Sequence, residues 1–147
     1  MKDLADENPS LADTIMAIMA SGNDLDDQNK KKEAQAMYQQ AWDLLPEPKL
    51  GWTPLSSWIT GSFFNLHFDN GDFEASEPWA QKTLEGRESD IDTGPLINVG
   101  MVYLELGKHG EAYEAFDKAY VFGKARAFKE RPKKYLNFYL DEKKKRH

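Results

Sequence analysis

The feature that most constrains this chain is a repeated spacing of small and aromatic residues. Counting from Gly100, Tyr103 comes three residues on, Gly107 seven, Ala112 twelve, Phe116 sixteen and Ala119 nineteen. The same offsets from Gly22 give Leu25, Asn29, Ala34, Tyr38 and Ala41. From Phe64 they give His67, Gly71, Ser76, Ala80 and Thr83. A register that recurs at this length is the mark of stacked supersecondary units. Two antiparallel helices joined by a tight turn need a residue that accepts positive φ, here Gly107, Gly71 and Asn29. Where two helix axes come close only small residues fit, which pairs Gly100 with Ala112 and Gly22 with Ala34. The aromatics then fill the space between one hairpin and the next. A single such hairpin cannot bury its own apolar face, so hairpins of this kind must stack.

The helical period runs through the whole chain, and no stretch alternates with the period of a strand. Pro9 and Ser10, read as its cap, open a helix over 9–28. Residues 30–45 place Ala34, Met37, Tyr38, Ala41, Trp42 and Leu45 on one face, and Pro46 and Pro48 end it. Thr53 as N-cap with Pro54 starts the next helix, which runs to Asn70. A helix over 73–86 follows; Pro78 either kinks it or marks a start near Glu77. Further helices are expected over 95–106 and 109–122, with Gly123 as a stop, and from Pro132 to about Lys145. The expected architecture is all-α in one domain, 1–147: hairpins at about 9–46, 53–87 and 94–123, then a capping segment over 124–147.

The runs NVGMVYLELGKHGEAYEAFDKA and SGNDL…KEAQAMYQQAWDLLP resemble the tetratricopeptide repeat family. The resemblance covers about residues 11–124 and implies a right-handed α-solenoid that binds protein or peptide. Its departures lie in the middle. The anchors are 42 and then 36 residues apart, so about eight extra residues sit around KLGWTPLSSW, and the second anchor is Phe64 rather than a small residue. The chain is also similar to small bacterial tetratricopeptide proteins found beside secreted polymorphic toxins. The shared features are a first hairpin ending LLPEP, a Trp-rich second unit, and a PKKYL-x-F terminal helix.

Charge narrows the choice of partner. The net charge is −6, yet residues 124–147 hold 10 basic and 3 acidic side chains, while residues 1–30 hold 2 basic and 7 acidic. An acidic body disfavours nucleic acid, whose phosphates need Lys and Arg, and favours a basic protein. The basic tail reads as a solvated helix end complementing the macrodipole, with Tyr135, Leu136 and Tyr139 docking on the last hairpin. Cysteine is absent, the opening MKDLADENPS has no apolar signal core, and TIMAIMA is too short to span a bilayer. A cytoplasmic chain without membrane contact is expected.

Catalysis finds little support. There are three histidines, His67, His109 and His147, and no Gly-rich phosphate loop, HExxH or GxSxG. His67 falls at an aromatic position of the repeat, where packing is expected. His109 reads as a surface or capping residue. Asp24, Asp26 and Asp27 lack the ligand spacing of a calcium loop. No catalytic residue, metal or cofactor is expected.

In the resembled family the first helices of successive hairpins line a concave face. Offsets of one, four and five from each anchor assign to it Asn23, Asp26 and Asp27, then Asn65, Phe68 and Asp69, then Met101, Leu104 and Glu105. Three and six residues before the anchors add Met16, Met19, Trp58 and Ile97. Trp42 and Trp79 read as core; Trp52 and Trp58 are either buried with the insertion or exposed anchors. Some family members clamp a carboxylate with Lys and Arg here, and the acids of this chain oppose that. The expected partner is a basic protein or peptide. The role is either an immunity protein neutralising a basic toxin, or an adaptor or co-chaperone-like scaffold binding an endogenous peptide or helix.

Overall fold

The computed structural model describes residues 3–146, and among them the secondary structure is entirely helical. The helices are α1 (Leu4–Glu7), α2 (Pro9–Asp27), α3 (Lys31–Leu44), α4 (Leu55–Asp69), α5 (Phe73–Glu85), α6 (Gly94–Glu105), α7 (His109–Gly123) and α8 (Lys133–Arg146). Short 3₁₀ turns lie at Lys49–Gly51 and Lys124–Phe128. The chain divides into two compact units, one ending at Glu88 and one beginning at Ser89.

The first unit contains two hairpins, α2–α3 and α4–α5, with α1 packed on α2. Asn29 (φ 62°) and Gly71 (φ 77°) make the turns, as their spacing requires. Gly22 answers to a different neighbour than expected. A methyl group there would lie 2.7 Å from the ring of Tyr38, so the close approach is to the aromatic sixteen residues on rather than to Ala34. The second hairpin has no such glycine. Instead Phe63 stacks flat on Trp79 (centroids 3.8 Å apart), Trp79 meets Trp42 edge-on, and Thr60 and Thr83 share a buried hydrogen bond of 3.0 Å. The extra residues fold back on α3. Lys49 donates to the carbonyls of Trp42 and Leu45, and Trp52 donates through Nε1 to Pro46, leaving Trp52 half-buried against the core.

Several helix ends differ from expectation. Asn8, not Ser10, caps α2 by accepting from the Leu11 amide, with Pro9 in the first turn. Thr53 does not cap α4; its hydroxyl donates to the carbonyl of Gly86 at 3.3 Å. Asp72 caps α5, so the helix starts at Phe73 and runs through Pro78.

The second unit is the hairpin α6–α7 with α8 against it. Gly107 (φ 78°) turns the hairpin. Gly100 lies under Phe116, where an added methyl would meet ring carbons at 2.4 and 2.5 Å. Phe116 touches Phe128, Tyr135 and Phe138 in turn, and Tyr139 stacks on Tyr113 and packs on Tyr120. Tyr135 and Tyr139 are fully buried, so the terminal helix caps this hairpin as its apolar spacing implies. α7 ends at Gly123 with φ −113°; the left-handed conformation falls one residue later, on Lys124 (φ 53°, ψ −145°).

Candidate functional site

Two helices of the first unit present the same solvent-facing row. On α2 it reads Met16, Asn23, Asp27; on α4 it reads Trp58, Asn65, Asp69. The spacings of seven and eleven residues are identical and keep each row on one helical face. All six side chains are exposed or half-exposed, Met16 at 37% and Trp58 at 38%. The rows sit near each other because α2 packs on α4. Their apolar ends meet in a groove of about 400 Å³ lined by Asp3, Ala5, Ala12, Met16, Pro54, Leu55 and Trp58. The acids lie about 16 Å further along each helix, at 1.5 Å rise per residue.

Local partners fix part of this face. The Tyr38 hydroxyl donates to Asn23 Oδ1 at 2.6 Å, which leaves the Asn23 amide nitrogen as a donor. Burial, with Asp26 and Asp27 nearby, pushes the Tyr38 phenol up to about 12, so it stays a neutral donor at ordinary pH. Asp26 is engaged with Lys31 and is half-buried. Asp27 and Asp69 are exposed. Phe68 is half-buried against Phe64 and Phe73, so it supports the face more than it projects from it.

The third hairpin departs from the expectation. Met101 is buried at 5% exposure, and Arg131 donates to its Sδ at 3.1 Å and to Asn98 Oδ1 at 2.5 Å. Glu105 accepts from the Tyr135 hydroxyl at 3.1 Å and pairs with Lys134. The chain's own C-terminal segment therefore covers both residues. Burial pushes the Tyr135 phenol well up, reinforced by Glu105, and lowers the Arg131 guanidinium. Leu104 is half-buried. Met19 and Ile97, expected on the open face, are fully buried because a position three before the anchor points into the core. Arg131, Lys134 and Tyr135 make this closure and have no signal in the repeat register.

The face has the composition of a protein-contact surface: apolar side chains that gain by desolvation, amides that bond backbone, and carboxylates at one end. His67 stacks on Phe63 and His109 meets Phe138 edge-on. Among the described residues, no group of three or more His, Asp or Glu side chains is gathered to hold a metal ion. No helix among them is long and apolar enough to cross a membrane.

Residues 95–120 match the tetratricopeptide repeat. The matched tetratricopeptide segment spans α6, the Gly107 turn and most of α7, and holds the strongest copy of the register. Repeats of this type are interaction modules for proteins and peptides, and are generally not enzymes. No curated protein matches the chain at a significant level.

Proposed function

We propose that this chain is a non-enzymatic protein-binding module for a basic protein or peptide, and that it serves as an immunity protein that neutralises a basic toxin. One observation carries the reading: the apolar–Asn–Asp row that α2 and α4 repeat at identical spacing on their open faces. The groove between Met16 and Trp58 supplies an apolar anchor point. Asn23 and Asn65 offer amides to a partner's backbone. Asp27 and Asp69 attract Lys or Arg, and the first 88 residues hold 16 acidic and 7 basic side chains, which speeds encounter with a cation-rich surface. The toxin assignment draws on the similarity to small bacterial tetratricopeptide proteins encoded beside polymorphic toxins, many of which are basic nucleases.

Co-expression and pull-down with the protein encoded by the adjacent gene test this. A complex lost on Trp58→Ala with Asp27→Arg and Asp69→Arg, together with protection of cells from that protein, supports it. No complex and no protection contradict it. The adaptor reading is favoured by the groove, whose size suits one side chain of a helix or extended peptide. It predicts instead an endogenous ligand bound through the same residues, with no protective effect.

A further inference from the structure

We propose that the exposed Val121–Phe122 ridge of the second unit is a docking surface, and that its occupant is the Met16–Trp58 groove of another copy of this chain. The exposed large apolar side chains among the described residues are Met16, Leu44, Trp58, Ile91, Val121 and Phe122. All except Leu44 fall into two patches. One is the concave groove. In the other, Ile91 and Phe122, exposed at 75 and 52%, line an open cleft with Lys124 and Arg126, and Val121, exposed at 62%, precedes Phe122 on α7. Exposure of this extent in a contiguous patch marks an interaction surface rather than ordinary scatter.

The two patches complement each other in charge, and the groove of about 400 Å³ is large enough to admit a phenyl ring. The groove carries Asp3 in its lining, with Asp6 and Asp13 exposed on the same helices. The ridge carries Lys118 one turn below Val121 and Phe122, with Lys124 and Arg126 beyond them, all exposed. The unit that bears the groove is strongly acidic, and the unit that bears the ridge has 12 basic and 9 acidic side chains. The cations beside Val121 and Phe122 complement the acids of the groove and favour encounter, while exposed Asp90 and Asp92 flank Ile91 in the chain.

Lys124 adds a second observation. Its φ of 53° and ψ of −145° lie where glycine alone is comfortable, and the sequence places its glycine one position early, at 123. Strain of this kind persists where a side chain is needed. Lys124 reaches over the Tyr120 ring, with Nζ 5.5 Å from the centroid, directly beside the ridge.

Such an interface is heterologous. Each joined pair keeps one free ridge and one free groove, so association proceeds stepwise with concentration. It uses the groove assigned above to the basic partner, so the two modes of binding exclude one another. The test contains no foreign partner, and its failure leaves the partner reading standing.

Sedimentation velocity of the full chain decides it. The expected result is a mass that rises with concentration past the dimer and weakens at high salt. Met16→Lys, which puts a cation into the groove, and Phe122→Gln, which removes the ridge, each lower the association constant at least about tenfold. Both sites are exposed, and melting curves confirm folding. Mixed together, the two variants form a 1:1 dimer and nothing larger, because one contributes an intact ridge and the other an intact groove. Lys124→Gly raises the melting temperature through relief of strain while weakening association; a purely structural lysine would leave association unchanged. A wild-type chain that stays monomeric throughout, self-association that survives either variant, or a mixture that stays monomeric overturns the proposal.

Discussion

Gly100→Ala probes the hairpin register at its tightest point. The new methyl would sit 2.4, 2.5 and 2.9 Å from three ring carbons of Phe116, against about 3.5–4.0 Å for a comfortable carbon contact. Phe116 is fully buried, and Phe128, Tyr135 and Phe138 surround its ring, so it has little room to retreat. Overpacking costs about 1–3 kcal/mol, and a clash deeper than 1 Å belongs at the top of that range. The better helix propensity of alanine returns about 1 kcal/mol. The net expectation is a loss of about 2 kcal/mol, or about 4–8 °C in Tm. Gly61→Ala is the control: it lies within α4, where a methyl meets nothing within 4 Å, so the propensity gain of about 1 kcal/mol stands alone. Gly22→Ala falls on the destabilised side, since its methyl would approach the Tyr38 ring to 2.7 and 2.9 Å. Urea unfolding followed by circular dichroism measures all three. If Gly100→Ala is as stable as the wild type, the inference that the ring at offset sixteen dictates the glycine is refuted.

Tyr139→Ala removes a fully buried ring that contacts Tyr113, Tyr120 and Phe128, and should cost about 3–5 kcal/mol. Deleting residues 131–147 should lower stability or solubility further, and an unchanged melt after truncation would contradict the capping role of α8. Alkaline pH should unfold the protein early. The folded Tyr38 phenol titrates at about 12 against 10.0 when unfolded, so its contribution is complete below pH 10 and is lost as pH rises toward 12; Tyr135 and Tyr139 are shifted the same way. Tyr38→Phe should flatten that decline in a pH series of melts. Replacing Asp27 and Asp69 by Arg should weaken a basic partner about a hundredfold in a calorimetric titration while moving Tm little, because exposed charges contribute about 1 kcal/mol or less to stability; adding Asp26→Arg should lower Tm as well, since it replaces the Lys31 pair with like charges.

Helix limits were legible to within a residue or two because Gly71, Gly107, Asn29 and the prolines punctuate the chain chemically. The rows Met16–Asn23–Asp27 and Trp58–Asn65–Asp69 were legible too, since offsets along a helix fix which residues share a face. Long-range events were not. Nothing local to Met101 or Glu105 tells that Arg131, Lys134 and Tyr135, about thirty residues on, will cover them. The neighbours of Gly22 and Gly100 are hidden for a related reason: small residues suggest backbone approach, whereas here the space is taken by an aromatic ring. The choice of Asn8 over Ser10 as the cap of α2 depends on backbone geometry that composition does not carry. Trp58 could be assigned to solvent only once α4 had a neighbour.

The central claim is that the open face of α2 and α4 contacts a basic protein. The most direct measurement replaces Trp58 with a photo-crosslinking amino acid in the native cells, with Ser10 on the exposed start of α2 as control. Mass spectrometry then identifies what is captured. One major foreign adduct of strongly basic isoelectric point is expected at position 58, lost when Asp27 and Asp69 are reversed to Arg. Capture of an acidic protein at position 58, capture unaffected by those reversals, or no foreign adduct there at all would contradict it.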